Sequence, residues 1–104
     1  MYVRIVTFRL WGTTGDQYRQ HAEEIAPAFL AWPGLHSKIW LADPEHHVYG
    51  GVYVFASRAD ADASRETEIF RRMQTDPTFA DLTIREFDTL AAPTSVTAPE
   101  LVRS

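Results

Sequence analysis

His36, Lys38 and Trp40 stand at alternate positions of one extended segment. Alternate residues of a strand share a face, so a titratable base, an ammonium and a large ring would line up in a row. Tyr49, Tyr53 and Phe55 hold matching parity on the next such segment. An imidazole with a pKa of roughly 6.5 can take a proton at neutral pH, which makes His36 a candidate catalytic base. Lys38 could stabilise an anionic intermediate, held by cation–π contact with Trp40 or Tyr53. Trp40, Tyr49, Tyr53 and Phe55 could stack a flat aromatic ligand. Each residue also has a plainer reading. His36 could be a half-exposed histidine near a strand start, Lys38 a snorkelling lysine at a subunit rim, and the rings the glue of a dimer. Arg85 and Arg9 would anchor an anion if they face inward and be solvated otherwise. Residues 82 to 90 show no clear parity, so the face of Arg85 stays open. His46 and His47 fall at a turn, where solvation is the simple expectation.

The elements that must position these residues follow from periodicity. Residues 34 to 41 and 47 to 55 alternate in character around the turn Asp43-Pro44-Glu45-His46 and predict a β-hairpin. Its aliphatic parity carries Leu35, Ile39, Leu41, Val48, Val52 and Val54 and suits a cover of helices. The aromatic and polar parity suits the wall of a pocket. Residues 2 to 10 predict a strand with Val6, Phe8 and Leu10 on one face. Thr14 or Asp16 can cap a helix running to Trp32. Pro27 predicts a kink in it or a fresh helical turn, and Pro33-Gly34 ends it. Gly50-Gly51 inside a strand predicts a bend or a close approach to the backbone. Ser57 caps a second helix reaching about Gln74, Pro77-Thr78-Phe79 opens one short helical turn, and residues 82 to 90 form the last strand.

The order β-α-β-β-α-β is the ferredoxin-like α+β arrangement, an antiparallel four-stranded sheet with two helices on one face. The expected organisation is a single domain over 1–92 and an extended C-terminal arm over 93–104. The bare face is expected to carry Trp40, Tyr49, Tyr53 and Phe55, too much apolar surface to leave in water. That predicts a homodimer, two sheets face to face as a dimeric α/β barrel around a cavity.

Composition narrows the partners. The chain has 104 residues, a formal net charge of −4 and no cysteine. No basic block suggests nucleic acid, and thiol chemistry and zinc–thiolate sites are excluded. No apolar run is long enough for a membrane span, and the strand pattern starting at Tyr2 leaves no signal peptide, so the expected compartment is the cytoplasm. His46-His47 and the Asp60, Asp62 pair lack metal-ligand spacing, and the glycines make no nucleotide cradle.

Several stretches resemble one family. Phe8-Arg9-Leu10-Trp11-Gly12-Thr13-Thr14-Gly15-Asp16 is similar to the F-x-F-x-G-P-x-G-D stretch of the YdhR-like monooxygenases, with Thr13 in place of the proline. Pro33-Gly34-Leu35, Lys38-Ile39-Trp40 and Gly50-Gly51-Val52-Tyr53-Val54-Phe55 match its P-G-x, K-x-W and G-G-[IV]-Y-x-F pattern. Val48 stands where some relatives carry Glu. Arg85-Glu86-Phe87-Asp88 resembles its closing strand. The resemblance spans about residues 5 to 95 and places the chain with the dimeric α/β-barrel superfamily, which includes the antibiotic-biosynthesis monooxygenases. It implies a monooxygenase acting with O2 on an aromatic or polyketide-like small molecule, with no cofactor. In such chemistry an electron-rich phenolate or enolate reduces O2, while the protein supplies a base, a charge stabiliser and a dry pocket. Two other functions suit the same residues: a polyketide cyclase or isomerase without O2, and a non-catalytic binding protein for a hydrophobic aromatic ligand.

Overall fold

Four segments form the strands: β1 (Tyr2–Leu10), β2 (Leu35–Asp43), β3 (Val48–Phe55) and β4 (Phe79–Asp88); side chains alternate in burial along most of β1, whereas β3 is buried or half-buried throughout. The computed structural model, which describes residues 1–102, pairs them antiparallel in the order β2-β3-β1-β4. Helix α1 (Gly15–Ile25) and a 3-10 segment (Ala26–Ala31) connect β1 to β2. Helices α2 (Arg58–Ser64) and α3 (Glu68–Thr75) connect β3 to β4, and α4 (Ala91–Thr97) and α5 (Pro99–Val102) close the chain. This is the ferredoxin-like α+β fold expected. No helix among the described residues is long and apolar enough to cross a membrane.

Local chemistry sets the helix ends. Thr14 caps α1 in a capping box with Gln17, satisfying two backbone donors that the first turn leaves open. Pro27 ends the α-helix and opens the 3-10 segment, one of the two outcomes its ring allows. The second helix is two helices rather than one. Thr67 accepts from the Phe70 amide and its hydroxyl donates to the Ser64 carbonyl, so α3 starts afresh. The tail is helical rather than extended as far as residue 102. Pro93 falls in the first turn of α4 and Pro99 opens α5, positions where the missing N–H costs nothing; residues 103 and 104 of the expected arm lie outside the described residues. The turn before the last strand is held by Asp76, whose carboxylate accepts from the Thr78 amide, and the strand starts at Phe79.

The faces of the sheet are allocated the opposite way from the expectation. Tyr2, Val6, Phe8, Tyr49, Tyr53 and Phe55 pack beneath the helices with Phe29, Trp32, Ala61 and Phe70, and Trp40 packs against that cluster. The aliphatic parity is the open face, where Ile39 is 58% exposed and Phe87 42%. The reason is volume. Helices α2 and α3 bury only Ala61, Ser64 and Phe70, so the sheet must supply the bulk that fills the layer. Each aromatic ring removes roughly 150–250 Å2 from water, an upper bound of about 4–6 kcal/mol. The barrel cavity expected between two aromatic sheet faces therefore has no basis here, because those rings are already used within the chain.

Two bulges complete the picture. Between Leu35 and Ser37 the pairing with β3 skips His36, which turns Leu35 to the helix side, away from Ile39 and Leu41. Between Thr7 and Arg9 the pairing with β4 slips, and Asp81 takes a left-handed φ of 52° there. Beyond the slip the strand alternates regularly, and its parity is masked in sequence because Glu86 takes the inner face to meet Arg4 while Phe87 takes the open one.

Candidate functional site

A cavity of about 220 Å3 lies between the sheet and the helices of the single chain. Phe8, Trp40 and Tyr53 rise from the sheet, Tyr18, Ile25 and Phe29 come from α1 and the 3-10 segment, and Ile69 and Met73 from α3. His21, Arg72 and Asp76 supply polar groups on its border and are exposed. Arg72 pairs with Glu68 at 3.0 Å.

Lys38 enters this cavity from β2. Its Nζ sits 3.4 Å from the Trp40 ring centre, 3.7 Å from Phe29 and 4.6 Å from Tyr53. Among the described residues it has no carboxylate partner and makes no side-chain hydrogen bond. Loss of hydration disfavours the ammonium and pushes the pKa from the ordinary 10.5 down to about 7. Gly51 makes the room: a methyl group there would lie 2.9 Å from Lys38 Cε and 3.3 Å from Tyr53 Cε1. The glycine pair in β3 thus serves two close approaches, Gly51 to the Lys38 side chain of β2 and Gly50 to the β1 backbone at Val6 and Thr7.

The phenols around the amine stay protonated. Burial, with the neighbouring Tyr49, pushes Tyr18 up to about 12. Burial, and to a smaller degree Tyr18, raises Tyr53 well above the ordinary phenol value, against a weaker opposing pull from Arg4. Behind Tyr53 the wall is braced by Arg4, which is fully buried. Its guanidinium donates to Glu86 at 2.6 Å, to the Ser64 hydroxyl at 2.7 Å and to the Ala61 carbonyl at 2.6 Å. It also lies over the rings of Phe70, Phe55 and Tyr53. Burial alone would raise the Glu86 carboxyl, but hydrogen bonds and charge from Arg4 and Arg65 outweigh it and hold the pKa low.

The structure brings together Lys38, Trp40 and Tyr53 of the residues marked in the sequence. Phe55 belongs to the core behind them, stacked on Tyr53 and Trp32. Tyr49 packs on Tyr18 with its hydroxyl over Gly15 and borders a separate hollow. His36 sits exposed on the β2 bulge, outside the cavity. Arg85 faces the open side beside Ile5, over the ring of Phe87. Arg9 is exposed, as are His46, bonded to Asp43, and His47. The sequence reading missed Tyr18, His21 and Ile25, which recur at the i, i+3, i+7 spacing of one helix face; a histidine in an apolar stripe was the available signal. Among the described residues no three histidine or acidic side chains cluster as metal ligands would.

The four-stranded ferredoxin-like chain shares its fold with proteins described as antibiotic biosynthesis monooxygenases. Solved structures agree on the fold. A protein of unknown function from Nitrosomonas europaea superposes with a TM-score of 0.73 at 17% identity, covering 88% of this chain and 90% of that one. A "putative antibiotic biosynthesis monooxygenase" from Deinococcus radiodurans gives 0.72 at 13%, covering 88% and 95%. SnoaB, a cofactor-independent oxygenase from Streptomyces nogalater, gives 0.67 at 13%, covering 85% and 91%. No curated protein matches the chain. Residues 4–100 match the family model "Putative mono-oxygenase ydhR", and the chain belongs to that family.

Proposed function

We propose that the chain is a cofactor-independent monooxygenase for an aromatic or polyketide-like small molecule, working in the cavity between its own sheet and helices. The observation that carries this reading is the Lys38 amine, held among three ring faces with no acid partner among the described residues. At neutral pH an amine with a pKa of about 7 is shared between its two forms. The neutral form takes a proton from an activated ring CH2, and the ammonium then steadies the enolate and the reduced oxygen. The enolate passes an electron to O2, the pair joins as a hydroperoxide, and loss of water leaves a carbonyl, so CH2 and O2 become C=O and H2O. The rings stack the flat substrate. The volume falls below the ~300–1,000 Å3 of drug-sized pockets, which favours a few fused rings.

The same proposal includes a homodimer through the open face, where Val3, Ile5, Ile39, Val52 and Phe87 lie together in register. Oxygen uptake with a hydroxy-anthrone, without added metal or flavin, tests the activity. Uptake that falls at least tenfold in Lys38→Met, about 1.4 kcal/mol of barrier, is the expected result. Anaerobic turnover would instead favour a cyclase, and tight binding without turnover a carrier.

A further inference from the structure

Lys38 is the only lysine in the chain; the other nine Lys and Arg residues are arginines. The one side-chain amine is thus placed inside an aromatic cavity, while every other side-chain cation is a guanidinium, which cannot serve as an amine nucleophile. Its surroundings suit a second kind of chemistry. Three ring faces flank Nζ, Gly51 leaves its stem unobstructed, and among the described residues no carboxylate holds it as an ammonium. We infer that Lys38 is a carbonyl-condensing amine, and that the cavity captures small aromatic aldehydes as an imine on Nζ.

The step balances without an oxidant or reductant. The Nζ lone pair attacks the carbonyl carbon, the N–C bond forms, and the oxygen takes a proton to give a carbinolamine. The hydroxyl then leaves with a proton as water, and the C=N bond remains. A desolvated lysine in an apolar pocket is the general arrangement for such reactions. The groups facing it are the rings of Phe29, Trp40 and Tyr53, the phenol of Tyr18, and His21, Arg72 and Asp76 at the border. Both phenols remain protonated, with Tyr18 pushed up to about 12, so each can serve as a donor to the departing oxygen. The arrangement stands on the amine and its chamber and does not depend on oxygenation.

Incubating the full chain with 2-naphthaldehyde and cyanoborohydride at pH 7 tests it. Intact mass and peptide mapping should place one adduct on Lys38, formed at least tenfold faster than on Nα-acetyl-lysine amide, whose ε-amine is its only amine, under the same conditions. The comparison has a wide margin. At pH 7 about half of an amine of pKa 7 is neutral, against roughly four in ten thousand at 10.4. The rate should level off above pH 7 rather than climb towards 10. Lys38→Arg should label only at the α-amine, and 2-methylnaphthalene, which fits the rings but lacks the carbonyl, should slow the wild-type reaction. An adduct confined to the α-amine, or Lys38 labelling no faster than Nα-acetyl-lysine amide, would overturn the inference and leave any measured oxygen uptake intact.

Discussion

Replacing Lys38 by Met keeps most of the stem volume and removes the amine, which exposes what burying that amine costs the fold. The folded pKa of about 7 lies below the ordinary 10.5. Between those values the unfolded chain binds more protons than the folded one, so stability must rise with pH. The contribution is fully present above 10.5 and is lost as pH falls towards 7. At about 1.36 kcal/mol per pH unit, the gain between pH 7 and 9.5 comes to about 3 kcal/mol. Attraction of the ammonium to the rings works the other way and trims this to roughly 2 kcal/mol. Tyr18 carries the opposite sign, because its folded pKa is raised to about 12. Its contribution is present below pH 10 and fades as pH climbs through 12, so an assay stopping at 9.5 avoids it. Urea unfolding followed by Trp fluorescence, in wild type and Lys38→Met at several pH values, reads the difference directly. With a slope of ~1–3 kcal/mol/M, the wild-type midpoint should gain roughly 1–2 M relative to the variant. A difference that stays flat, or shrinks as pH rises, would refute the claim that the amine is buried at a cost.

Three other outcomes follow from the geometry. Gly51→Ala puts a methyl group against Lys38 Cε and Tyr53; it should cut oxygen uptake at least tenfold, with circular dichroism unchanged, and an unaffected rate would remove the slot from the argument. Arg4→Met strips the buried guanidinium from Glu86, Ser64 and Ala61 and should cost about 3–5 kcal/mol. Calorimetry should show the melting temperature falling by at least ~10 °C, and a drop of only a degree or two would mean the network bears little of the fold. Ile39→Glu places a charge on the open sheet face and should convert a dimer to a monomer of 11.8 kDa by light scattering; an undisturbed dimer would locate the interface elsewhere.

Element order and fold class were legible because alternation along β1, β2 and β3 is clean and because Thr14, Pro27 and Ser57 punctuate the helices where physical chemistry says they should. Which face the helices choose was not legible. Alternation separates Tyr53 from Val52 but does not say which of them points at a helix, and here the decision rests on filling volume beneath two short helices. The bulges were equally hidden. Leu35 and Lys38 differ by an odd number of positions and yet share a face, because His36 is an extra residue that no local pattern marks. Lys38, Trp40 and Tyr53 could be grouped from strand parity alone. Tyr18 and Phe29 could not, since their place in the same chamber depends on how α1 and the 3-10 segment lie across the sheet.

The skipped residue at His36 also acts as a phase insulator. Upstream of it the chain threads Gly34, whose left-handed backbone sits hard against Asp60; downstream it delivers the Lys38 amine to the cavity. Because the offset is absorbed at one exposed position, excising His36 should force a choice between rotating the loop and inverting the strand, whereas exchanging its side chain should leave both ends undisturbed. The segment before it is therefore the natural cassette for altering who gains entry, with the chemistry beyond kept in step.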